Sequence, residues 1–134
     1  MLQGIHSSKV GDWWPMVEPI LQRATRRSKG RYDTAYLRKA LDDRKAQLWL
    51  WVRGGRPQAV AVTETVIYPT GLKECRVVAI AGQGMRDWIG HLRGIEGWAR
   101  SQGCRAMLLE GRLGWKRALP KDYTLHNVAM RKEL

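Results

Sequence analysis

Three alternating segments, QLWLWV (47–52), QAVAVTETVIY (58–68) and LKECRVVAIA (72–81), follow one another in this 134-residue chain with only RGGRP and PTG between them. β-Branched and aromatic residues bounded by Gly and Pro specify strands, and connections this short can only turn the chain back on itself. A three-strand antiparallel meander is therefore expected in mid-chain. It is followed by MRDWIGHLRGIEGWARSQG, in which Met85, Trp88, Ile89, Leu92, Ile95, Trp98 and Ala99 recur at helical spacing and Gly103 supplies the stop. CRAMLLE (104–110) then reads as a buried strand. Residues 72–110 are thus a strand, helix, strand unit, whose two strands should be parallel neighbours joined by a right-handed crossover.

The flanks complete the pattern. Residues 2–6 read as a short strand, and the polar turn formers after it, with Asp12, announce a helix. The stretch 13–29 is helical in character but holds Pro15 and Pro19. An interior proline costs about 3 kcal/mol, so a regular helix is expected only from Pro19 to Gly30. Asp33 is placed to cap a second helix with the apolar stripe Tyr36, Leu37, Ala40 and Leu41. GRLGWKRAL (111–119) reads as a short helix and YTLHNVAMRKEL (123–134) as a last strand, with no internal repeat. The fold class is α/β, an α+β mixed sheet of order β-α-α-β-β-β-α-β-α-β, within a single domain over residues 1–134.

Composition limits the partners. Lys and Arg number 24 against 12 Asp and Glu, a net charge of +12, which draws anions: nucleic acid, an anionic cofactor or an acidic protein surface. The alternative is a surface that is merely cationic. The densest run is Arg23, Arg26, Arg27, Lys29 and Arg31. Cys75 and Cys104 lack any C-x-x-C spacing, and His6, His91 and His126 lack ligand spacing, so neither a metal site nor a disulfide framework is supported. The N-terminus has no apolar signal core, and no stretch nears the roughly 18 apolar residues of a membrane span. A reduced, cytoplasmic protein is the expectation.

The element order, together with QLWLWV, AVTETVIYP, GWARSQGC and EGRLGW, resembles the GNAT acetyltransferase superfamily over essentially the whole chain, and within it the small GNAT-like proteins of tailed phages. The resemblance implies an acyl-CoA, such as acetyl-CoA, and an amine acceptor. In that family the fourth strand passes through a Q/R-x-x-G-x-G/A loop into a helix whose free amides hold the cofactor pyrophosphate. The matching stretch here is Ala79-Ile80-Ala81-Gly82-Gln83-Gly84, followed by Met85 and Arg86, with Ala79 standing where Gln or Arg is expected. The pantetheine arm would pair with the backbone of Val78, Ala79 and Ile80. Arg112, with Trp115 and Arg117 around the turn after Glu110, suits either an anionic cofactor tail or the wall of an acceptor pocket.

Two carboxylates are candidate bases for the acceptor amine. Glu64 shares a strand face with Val60, Val62 and Val66, where burial would raise its pKa; it equally suits a pair with an arginine. Glu110 ends the strand beside the cofactor wedge. Family members often carry a tyrosine acid in the short helix after the fifth strand, and the matching position is Leu119, with Tyr123 four residues on. Glu96 is expected to make surface ion pairs with Arg93 and Arg100. Gly90, Gly94 and Gly97 share one side of the long helix, as if something approaches it closely. Three functions remain in view: an N-acyltransferase, a catalytically inactive virion or assembly protein of a phage, acting in the host cytoplasm or the virion among other virion proteins, and a nucleic-acid-binding module.

Overall fold

The computed structural model describes residues 1–110 and 115–134, the side chains of Met85 and Lys116 excepted. The meander forms as the alternation requires: β2 (Gln47–Arg53), β3 (Arg56–Ile67) and β4 (Lys73–Gly82) pair antiparallel in sequence order, and β1 (Leu2–Ile5) adds to β2. β5 (Ala106–Leu109) joins β4 in parallel, giving a mixed sheet of order β1-β2-β3-β4-β5. The helices α1 (Val10–Arg26) and α2 (Thr34–Asp42) precede β2. The crossover from β4 to β5 consists of α3 (Met85–Trp88), a 3-10 turn (Ile89–His91) and α4 (Leu92–Ser101), and α5 (Trp115–Ala118) follows β5.

Strand alternation feeds two cores. Leu48, Leu50, Val60 and Val62 are buried with Val10, Val17, Leu21, Leu37 and Leu41 of α1 and α2, while Trp49, Ala59 and Ala61 meet Trp88, Leu92 and Ile95 of the crossover. This packing corrects the expectation for the first helix, which runs unbroken from Val10 with Pro15 and Pro19 inside it. A helix begun at Pro19 would forfeit the buried Val10 and Val17 and the packing of Trp13 and Trp14. Each large apolar side chain buried is worth about 1.5–3 kcal/mol, so together they offset the two prolines. Asp33 caps α2 as expected, its carboxylate accepting from the Tyr36 amide at 2.8 Å.

Two further expectations are corrected. The long helix is interrupted at Ile89–His91, where Gly90 weakens helical preference and the His91 ring stacks on Trp51, centroids 4.1 Å apart. Of its three glycines only Gly94 meets a close neighbour: a Cβ there would lie 2.7 Å from Leu2 of β1. The last strand is absent, residues 123–134 carrying neither helix nor strand. In extended form one face would present Tyr123, Leu125, Asn127 and Ala129, the other Thr124, His126, Val128 and Met130. Neither face is uniformly apolar, so pairing on β5 would bury little.

Candidate functional site

β4 and β5 separate partway along their length. Their last register pair is Val77 with Leu109, whereas β4 continues to Gly82, so residues 78–82 have no β5 partner. On the other side of β4 the register against β3 slips between Val62 and Thr63, leaving Val78 as an extra residue. Such a bulge bends a strand and raises its twist. It is fixed from outside the sheet: the Tyr32 hydroxyl, just before α2, donates to the Val78 carbonyl at 2.8 Å. Burial pushes the pKa of that hydroxyl up, which keeps it a donor. The result is a wedge with one wall of strand backbone, able to pair with the amides of an extended ligand.

The loop at the end of β4 contains two glycines with different duties. A Cβ on Gly82 would lie 2.5 Å from the Cα and Cβ of Ala59 and 2.6 Å from the Gln58 carbonyl oxygen, so close approach to β3 demands glycine. The Gln83 amide donates to the same Gln58 carbonyl at 3.0 Å and is not available to a ligand. Gly84 has φ of +65°, a left-handed conformation, and its carbonyl accepts from the Asp87 amide at 2.8 Å. The Gly84, Met85 and Arg86 amides open α3 and have no acceptor within the helix. Arg86 is exposed beside them. The Asp87 carboxylate also points back at this turn, 3.1 Å from where a Gly84 Cβ would stand, and opposes an anion there.

Of the candidate bases, Glu110 stands where the wedge begins, whereas Glu64 lies on β3, across β4 from it. Glu64 is level with Arg76, and Arg76 with Leu108. Its carboxylate lies 3.0 Å from the Arg76 guanidinium with 26% of the side chain exposed, so the arginine pair is the arrangement found. Glu110, exposed, immediately follows the last paired residue of β5 and has no ion pair among the described residues. It lines a broad cavity of about 820 Å³ together with Met107, Tyr123 and His126. Arg112 lies outside the described residues.

Leu119 packs into the core on the crossover side. The Tyr123 hydroxyl is already engaged, donating to the Glu96 carboxylate at 2.6 Å. Burial, and then Glu96, raise its pKa. The expected ion pairs of Glu96 with Arg93 and Arg100 are not among those of the described residues. Nothing in the sequence signals the Tyr123–Glu96 bond or the Tyr32–Val78 bond, because each joins residues far apart in the chain through one polar atom. Cys75 is fully buried, and burial followed by the nearby Cys104 pushes its thiol up to about 11. No cluster of potential metal ligands occurs among the described residues, and none of their helices is long and apolar enough to cross a membrane.

No protein-family model and no curated protein matches the sequence. Solved structures do match. A GNAT family acetyltransferase of Staphylococcus aureus superposes with a TM-score of 0.71 at 12% identity, over 100% of this chain and 98% of that one. The ribosomal-protein-alanine N-acetyltransferase of Brucella melitensis biovar Abortus gives 0.63 at 14% identity, over 98% and 99%. A predicted acetyltransferase from Clostridium acetobutylicum, solved with acetyl-CoA, gives 0.66 at 12% identity, over 100% and 94%. The parallel β4–β5 pair that parts beyond Val77, set in a five-stranded mixed sheet between two helical layers, is therefore the fold of the GNAT acetyltransferases.

Proposed function

We propose that the chain binds an acyl-CoA, acetyl-CoA first among them, along the free edge of β4 and transfers its acyl group to an amine. The observation that carries this reading is the wedge: β4 extends past its last β5 partner, and a bulge held by Tyr32 keeps it apart. Backbone groups of Val78, Ala79 and Ile80 would pair with the pantetheine amides. The Gly84 and Met85 amides with Arg86 would face the pyrophosphate, on a turn shaped by Gly82 and Gln83, and Arg112 would add a further cation. The cofactor supplies an acyl group activated as a thioester.

Glu110 would take the proton from the acceptor nitrogen as that nitrogen attacks the bound thioester. No residue would need to protonate the departing thiolate, because a thiol of pKa near 8.5 leaves tolerably as the anion, so Leu119 in place of a tyrosine is survivable. Glu110 is preferred to Glu64 because Arg76 already holds the latter. Calorimetry with acetyl-CoA tests the binding half, and absence of heat at any concentration would sink it. Gly84→Asp should abolish binding. Asp87→Asn should tighten it severalfold by removing a charge that opposes the pyrophosphate. Glu110→Gln should slow transfer by about 10² to 10⁴ with affinity unchanged.

One rival has observations of its own. Ala79 offers no long side chain to a cofactor, Leu119 packs against the core and Tyr123 is spent on Glu96, all of which suit a GNAT-fold protein without catalysis. That reading gains if acetyl-CoA binds yet no amine is acylated, or if it does not bind at all.

A further inference from the structure

The cations singled out in the sequence fall on one surface, the last turns of α1 and the loop to α2. Arg23, Arg26, Arg27, Lys29 and Arg31 are all exposed, and none makes an ion pair among the described residues. The nearest acids on these elements are already occupied: Glu18 accepts from the Thr34 hydroxyl at 3.2 Å, and Asp33 caps α2. The loop that presents the cations is stiff. The buried Ser28 hydroxyl lies 2.7 Å from the Thr25 carbonyl and 3.0 Å from the Tyr32 carbonyl, its one proton shared between them, and the Arg31 guanidinium donates to the Ser28 carbonyl at 3.0 Å. Lys29, exposed, adopts a left-handed φ of 56° that side-chain-bearing residues seldom take.

The surface is also tied to the wedge. Tyr32, next to Arg31, places its hydroxyl on the Val78 carbonyl at the bulge of β4. A partner lying across these cations would thus lie beside the open end of β4. Four of the five are arginines, whose planar forks match phosphate oxygens in pairs.

We propose that this surface docks the phosphodiester backbone of a nucleic acid and so presents an acceptor amine carried by that nucleic acid to the wedge. The docking stands by itself; the second half rests on the acyltransfer reading above. The sequence carries no recognisable base-reading motif, so binding should be insensitive to sequence and governed by release of counterions.

The test is the affinity for a short fluorescent single-stranded RNA, measured by anisotropy across a salt series. With five cations each contributing about 0.7, the logarithm of affinity should fall against the logarithm of salt with a slope of about −3.5. Arg26→Gln/Arg27→Gln should flatten that slope by more than one and cost about tenfold in affinity. Arg53→Gln/Arg56→Gln, which removes the same charge from the exposed β2–β3 hairpin, should change little. Equal losses from both double variants would overturn the site, and binding of polyglutamate but not RNA would overturn it in favour of an acidic protein. For the second half, transfer to an aminoalkyl group on an oligonucleotide should exceed transfer to the free amine and lose that advantage in Arg26→Gln/Arg27→Gln. Equal rates on the two amines would overturn it. RNA binding without acetyl-CoA binding would refute the acyltransfer reading and leave the docking surface intact.

Discussion

Gly82 and Gly84 are one motif in the sequence and two different constraints in the molecule. Gly82 is fixed by β3, against which any side chain would collide, and Gly84 by its left-handed backbone. Gly82→Ala should therefore lose about 1–3 kcal/mol through overpacking, and Gly84→Ala about 1 kcal/mol through backbone strain, in urea unfolding. The opposite order would show the close approach to be relieved elsewhere. Cys75 sets a second residue-scale expectation. Its folded pKa is raised, so its contribution is complete below the unfolded value of 9.0 and is lost as pH climbs to about 11. Stability should fall by roughly 2–3 kcal/mol from this group over that interval. Cys75→Ala should remove that part of the slope, most visibly between pH 9 and 10, below the range where the raised tyrosines titrate. Tyr123→Phe should cost about 1.5–3 kcal/mol, the worth of a hydrogen bond to a charged group.

At the scale of elements, β4 matters most, since its bulge at Val78 falls where its pairing with β5 ends. Tyr32→Phe would leave the Val78 carbonyl without its donor and should destabilise by about 1–3 kcal/mol, read from denaturant midpoints at unchanged slope. The meander and the parallel crossover were legible because alternation and turn residues act locally, and the Gly-rich turn into α3 stood out for the same reason. The bulge was not legible: the β4 segment keeps its apolar run through Val77, Val78 and Ala79, and only the slip against β3 reveals which residue is surplus. The Glu64 pair with Arg76 was half legible, an arginine being expected but not which one. α1 was misjudged at its start because two prolines are visible in a sequence and the burial that offsets them is not. Residues 126–134 add no strand and are exposed throughout, so deleting them should shift the melting temperature by only a few degrees.

For the whole molecule, the charge of +12 is not evenly employed: some cations pair along α2 and across β3 and β4, while the α1–α2 surface leaves five unpaired among the described residues. The sheet is uneven too. β1 to β4 form a continuous antiparallel ribbon, but β5 is held by the short run of pairs from Glu74–Ala106 to Val77–Leu109 and has no strand on its outer edge among the described residues. Those pairs also close a much longer loop than the hairpins of the meander do, a step that short-range turns do not require. β5 should consequently join late in folding and leave early, detaching as a local unit while the ribbon stays intact. Amide hydrogens of residues 106–109 should then exchange with solvent deuterium well ahead of those in β2 and β3, and a ligand bound as proposed between the walls of the wedge should slow them.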